Sequence, residues 1–283
     1  MSCAILLCVL VAGAGESLVA GPIERVLTDL QFSEGPVWLP GEGLIFSDIP
    51  ADTIYRADKS VFRTPSGKSN GLALDGEGRL IACEHGNRRV SRTEKGGRIT
   101  VLADQYLGRK LNSPNDVVVR SDGTIFFTDP PYGLEKREAE LPFSGVYGIA
   151  PDGKLTLLSV YFKHPNGVAL SPDEKTLYVA DSGASFIEAF DAAPDGSLEN
   201  ARLFAKDVDP DGLKMDERGN LWVAAADGIR VYRSDGALVE TVKFPEQPAN
   251  CAFGGDDGKT LYVTARHGLY KIRCAVKGAR QGK

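Results

Sequence analysis

Glu34-Gly-Pro-Val-Trp38, Asn70-Gly-Leu-Ala-Leu74, Asn115-Asp-Val-Val-Val119, Asn166-Gly-Val-Ala-Leu170, Asp211-Gly-Leu-Lys-Met215 and Asn250-Cys-Ala-Phe253 are six copies of one pattern. In each, a carboxylate or carboxamide leads straight into a short apolar run. The leads are spaced 36, 45, 51, 45 and 39 residues apart. Self-similarity at that period marks stacked or radially arranged units. Residues at one register of a radial repeat face a common axis, so six side-chain oxygens converge there.

The residues after each lead define the rest of the unit. A turn rich in Gly, Asp or Pro comes next, such as Asp75-Gly-Glu-Gly78 or Gly254-Gly-Asp-Asp-Gly-Lys259. A second apolar strand comes after the turn: Leu44–Ser47, Leu80–Cys83, Ile125–Thr128, Leu177–Ala180, Leu221–Ala224 and Leu261–Thr264. Short β-branched and aromatic runs bounded by such turns are hairpin signals. Most units add a third strand and a weaker, more polar fourth, as in Ile99-Thr-Val-Leu102 and Leu155-Thr-Leu-Leu158. Four antiparallel strands in each of six units predict an all-β fold, a six-bladed β-propeller spanning residues 21–283. A β-sandwich would offer similar hairpins but no reason to repeat a polar lead six times. Ile23-Glu-Arg-Val-Leu27 has no hairpin of its own. It is expected to supply the outer strand of the last blade and close the ring without a free edge.

Composition narrows the function classes. A net charge of −5 gives no basic footprint for nucleic acid. With 42% hydrophobic residues and no apolar run near ~20, no membrane span is predicted. The five cysteines show no metal-ligating or framework spacing, and Cys83, Cys251 and Cys274 read as buried, inert thiols. Residues 1–20 carry a short apolar run with small-residue sites at Ala12-Gly-Ala14 and Leu18-Val-Ala20. These features fit a secretory signal, although the segment lacks Lys and Arg. Periplasmic or secreted location is the expectation, with a cytosolic leader as the alternative.

Two of the six leads, Glu34 and Asp211, are acidic, and two carboxylates balance one divalent cation. Asn115 and Asn166 add amide oxygens. An oxygen-only set favours Ca²⁺, with Mg²⁺, Mn²⁺ or Zn²⁺ as alternatives. No His or Cys shares the register, which argues against a dedicated zinc cage. Asn70 and Asn250 are left to bind substrate or cap their strands. A second acidic register, Asp48, Glu84, Asp129 and Asp181, is expected to accept backbone amides of neighbouring loops. His85, in the unusual run Glu84-His-Gly-Asn-Arg-Arg89, is a candidate to orient substrate or carry a proton. The long insertion Pro130–Gly145 lies at the same end as the leads and is expected to form a lid or pocket wall.

Phe32-Ser-Glu-Gly-Pro-Val-Trp38, His164-Pro-Asn-Gly167, Asp211-Gly212, Ala82-Cys-Glu-His-Gly-Asn-Arg-Arg89, Lys110-Leu-Asn-Ser-Pro-Asn-Asp116, Thr128-Asp-Pro-Pro-Tyr-Gly133 and Phe253-Gly-Gly255 together resemble the senescence marker protein/regucalcin/gluconolactonase family. The likeness to its bacterial gluconolactonase branch runs from Arg25 to Ile272. It implies metal ligation by Glu34, Asn115, Asn166 and Asp211, with Asp211 also the general base. It implies a small-molecule substrate, a sugar lactone such as glucono-1,5-lactone, hydrolysed to the aldonic acid by a monomer or dimer. Asn70, His85, Arg89, Asn115 and Tyr132 are the expected substrate contacts. Hydrolysis of other lactones or organophosphate esters, and non-catalytic calcium binding, are the alternatives.

Overall fold

The turns predicted from Gly and Asp do close hairpins. Gly78, Gly123, Gly153, Gly219 and Gly258 all take positive φ, between 69° and 92°, where a side chain would be strained. They join strands into six four-stranded antiparallel sheets in a computed structural model that describes residues 17–279. Blade 1 comprises Ser33–Leu39, Gly43–Asp48, Thr53–Arg56 and Val61–Arg63. Blade 2 comprises Ser69–Leu74, Leu80–Glu84, Arg89–Thr93 and Ile99–Ala103. Blade 3 comprises Val117–Val119, Ile125–Asp129, Gly145–Ile149 and Leu155–Ser159. Blade 4 comprises Pro165–Leu170, Thr176–Asp181, Phe186–Ala192 and Leu198–Lys206. Blade 5 comprises Pro210–Met215, Leu221–Ala225, Gly228–Tyr232 and Leu238–Val242. Blade 6 comprises Asn250–Gly254, Thr260–Ala265 and Gly268–Arg273. Its fourth strand is Glu24–Leu27, which pairs Arg25 with Tyr270 and Leu27 with Leu269, so the N-terminal strand closes the ring as expected.

Burial follows the blade order. Second strands such as Leu221–Ala225 are buried throughout, whereas outer strands such as Leu198–Lys206 are largely exposed. Six apolar clusters fill the six interfaces between neighbouring blades. The one that locks blade 6 to blade 1 holds Leu30, Leu44, Phe46, Ala252 and Leu269, with Trp38 stacked on Tyr262 at 5.7 Å. Removing this much apolar surface from water is the main favourable term in the fold.

The folded part begins before residue 21. Leu18 is buried in the cluster between blades 5 and 6, and the backbone of Val19 bridges to Cys274. The small-residue site Leu18-Val-Ala20 therefore lies in packed structure. The expectations for residues 1–16, Cys3 and Cys8 among them, lie outside the described residues. Among the described residues no helix is long and apolar enough to cross a membrane.

Candidate functional site

The repeated lead residue is aimed by a backbone device. In blades 1, 2, 4 and 5 the register between first and second strands slips just after the lead, between Glu34 and Val37, Ser69 and Leu72, Pro165 and Val168, and Pro210 and Leu213. Such bulges bend a strand and re-aim a side chain. In these four blades the residue after the lead is glycine, and the blades nearly touch there. A Cβ on Gly35 would stand 1.8 Å from the Asn70 carbonyl oxygen, and one on Gly167 would stand 2.2 Å from that of Asp211. The Asn-Gly pairs are thus inter-blade contacts rather than turns.

The six leads form hydrogen-bonded arcs. Asn70 Nδ2 donates to Asn115 Oδ1, and Asn115 Nδ2 donates to Asn166 Oδ1 at 2.6 Å. The Asn166 side chain in turn bonds Asp211. On the other side Asn250 Nδ2 donates to Glu34 Oε2 at 3.0 Å, and that oxygen also accepts the Gly35 amide. Asn166 Oδ1 accepts one such bond and retains a second lone pair for a ligand. Glu34, Asn70, Asn115, Asn166 and Asp211 all line one cavity of about 410 Å³ with His85 and Tyr132.

Clustered carboxylates dominate the electrostatics of the site. Burial, then the nearby Asp116 carboxylate, pushes the Glu34 pKa up to about 7. Asp211 is only half-buried where it meets the cavity, yet desolvation and the Glu34 and Asp116 charges raise it well above the usual carboxylate range. Like charges held in a desolvated cluster resist ionisation until a counter-charge is supplied. Two carboxylates and two amide oxygens form a hard donor set that fits a divalent cation such as calcium. Among the described residues no group of three or more His, Cys, Asp or Glu side chains is placed to hold a metal, so the donor set depends on the amides.

His85 is buried with Nε2 3.2 Å from Asn115 Oδ1 and 3.3 Å from Asn70 Nδ2. Burial pulls its pKa down to about 4, so the ring is neutral at pH 7. The Pro130–Gly145 insertion is a wall anchored in place. Arg137 donates to the carbonyls of Gly86 (2.7 Å), His85 (3.0 Å) and Leu134 (3.2 Å), and also to that of Gly133. Ser113 Oγ donates to Pro130 O at 2.5 Å and accepts the Gly133 amide at 2.8 Å. Leu134 and Leu141 of the insertion are themselves buried. From this wall Tyr132 reaches the cavity, where its hydroxyl bonds that of Ser182.

Arg89, expected among the substrate contacts, stands outside the site. It does not line the cavity. It stands opposite Glu84 across the hairpin, and its Nε donates to Glu84 Oε2 at 2.7 Å. Glu84 also meets Arg63, Asn87 and Ser91, so it breaks the pattern of the second acidic register. The other three members behave as expected: Asp48 accepts the Gln31 and Phe32 amides, Asp129 that of Asn112, and Asp181 those of Lys163, His164 and Gly183. Cys83, Cys251 and Cys274 are buried free thiols.

Several site residues had escaped the sequence. Asp116 is buried one position beyond Asn115, where most blades carry glycine, and accepts the Val117 and Val168 amides at 2.9 and 3.3 Å. Its departure from the repeat was the available signal. Phe32, Ile49, Ser182, Asp209 and Gln247 also line the cavity. They come from inter-strand loops without a shared pattern.

The match to known proteins is broad. A family described as SMP-30/Gluconolactonase/LRE-like region matches residues 32–267. A gluconolactonase of Zymomonas mobilis is 34% identical, with 92% of this chain and 83% of that protein covered. Regucalcin of Bos taurus is 33% identical over 87% of this chain and 88% of its own. Among solved structures, a gluconolactonase from Xanthomonas campestris superposes with a TM-score of 0.82 at 36% identity, covering 89% of each chain.

Proposed function

The chain belongs to the SMP-30/gluconolactonase/LRE-like family, and on that premise we propose that it is a lactone hydrolase. Its substrate is a sugar lactone of the glucono-1,5-lactone type, opened to the aldonic acid. The observation that carries this reading is the convergence of Glu34, Asn115, Asn166 and Asp211 at one cavity of about 410 Å³, a volume suited to a single sugar ring. Those four side chains would hold one divalent cation, Ca²⁺ by their hardness.

A cation bound there supplies Lewis-acid polarisation of the ester carbonyl and charge stabilisation as its oxygen turns negative. The chain's residues do the remaining work. Asp211, ionised once a cation supplies the counter-charge, takes a proton from the water that attacks the carbonyl carbon. The bond from that carbon to the ring oxygen breaks, and the proton passes to the departing ring oxygen. Glu34 would share with Asp211 the balancing of the cation's charge, and through Asn250 it stays fixed to the neighbouring blade. Asn70 and neutral His85 hold the Asn115 amide in register and present polar edges to the substrate hydroxyls. The Tyr132 wall limits the size of the ring admitted.

Proton release from glucono-1,5-lactone, with and without chelator, tests this directly. A panel of simpler lactones and a phosphotriester separates a sugar lactonase from a broader esterase. No turnover of any of them would leave a non-catalytic cation-binding propeller.

A further inference from the structure

Cation binding and ester chemistry leave one part of the cavity unexplained. Phe32 and Gln247 both line it, and Arg266 grips both. The Arg266 guanidinium lies over the Phe32 ring, 5.6 Å from its centroid, and its Nη2 donates to Gln247 Oε1 at 2.8 Å. A guanidinium can only donate, so the amide atom facing it must be the oxygen. The amide nitrogen, with two N–H donors, is then the polar end left for the cavity. The Gln247 side chain makes no second hydrogen bond among the described residues.

The backbone around Gln247 is equally fixed. Glu246 accepts the Tyr270 hydroxyl at 2.6 Å and the His267 amide at 3.1 Å. Ala249 O accepts the Gly212 amide at 2.8 Å. A donor already oriented by a partner loses less conformational freedom when it meets a ligand.

We propose that Gln247, oriented by Arg266, is a specificity-determining residue that donates its amide N–H to a ring hydroxyl oxygen of the substrate, selecting polyhydroxylated lactones over unsubstituted ones. Phe32 gives the apolar face of the same ring a surface to pack on. This inference rests on the lactonase reading, whose failure shows separately.

The experiment compares kcat/KM for glucono-1,5-lactone and for δ-valerolactone, which has no hydroxyls, at saturating Ca²⁺. The readout is the ratio of the two. Gln247→Leu removes the donor. Gln247→Glu keeps size and the Arg266 partner but replaces the donating nitrogen by an acceptor. A structural role for Gln247 would therefore spare the Glu variant. Both variants are expected to lower the ratio about 10-fold, mainly through a higher KM for the sugar lactone, the scale of one directed hydrogen bond. A ratio within about twofold of the parent in both variants, set against the roughly 10-fold expected for that bond, overturns the assignment. If the parent protein hydrolyses neither lactone, the lactonase reading falls and this inference with it.

Discussion

Glu34→Gln should stabilise the metal-free protein and weaken cation binding at the same time. The Glu34 carboxyl has an ordinary value of 4.5 and is held near 7 in the folded chain. Between those values the folded state binds more protons than the unfolded one, so stability must fall as pH rises through the window. Raising the pKa from 4.5 to about 7 corresponds to about 3 kcal/mol lost between pH 4.5 and pH values above 7. Glutamine is isosteric, keeps an acceptor for Asn250 and Gly35, and does not ionise. In urea denaturation with chelator present, the variant should match the parent near pH 4.5 and exceed it by about 3 kcal/mol at pH 8. Removing the Glu34 charge also relieves Asp211, which adds to the difference in the same direction. With excess Ca²⁺ at pH 8 the order should reverse, because bound cation stabilises only the form that holds it. A parent–variant difference that stays constant from pH 4.5 to 8 would refute the claim that Glu34 is a desolvated carboxylate awaiting a counter-charge.

Three other perturbations probe separate parts of the account. Asp211→Asn retains an oxygen ligand but loses the base, so kcat should fall by at least about 100-fold while Ca²⁺ in excess still binds by calorimetry. Arg137→Ala releases the Tyr132 wall from the His85 turn, and hydrogen exchange at residues 132–137 should accelerate while blade 6 is unaffected. Gly35→Ala places a methyl 1.8 Å from the Asn70 carbonyl oxygen at a positive φ of 49°, which should cost about 3 kcal/mol or more in thermal or urea unfolding.

The propeller was legible because its signal is repeated. Any one of Asn70-Gly, Asn166-Gly or Asp211-Gly could open an ordinary turn, but the shared register ties them to one axis. The edge strand Glu24–Leu27 was equally readable, since a strand without its own hairpin has to pair elsewhere. Legibility ended where contacts depend on loops of unequal length. Gln247 and Arg266 lie on different connections of the chain and meet where the Asn250–Gly254 and Thr260–Ala265 strands of blade 6 pair. Arg89 was misplaced because the unusual run around His85 drew attention to its residue types. The short hairpin sets Glu84 opposite Arg89, so the arginine's charge is spent on that carboxylate. Asp116 shows the converse, a departure from the repeat that marks a third carboxylate beside the axis.

The central claim is that the converging leads make a cation-dependent lactonase. The most direct measurement is proton release from glucono-1,5-lactone by protein first stripped with chelator and then titrated with Ca²⁺, run in parallel for the parent and Glu34→Gln. Stripping should remove the activity and Ca²⁺ should restore it saturably in the parent, with Glu34→Gln needing a markedly higher concentration. Full activity in the stripped protein, or identical Ca²⁺ titrations for the two, would contradict it.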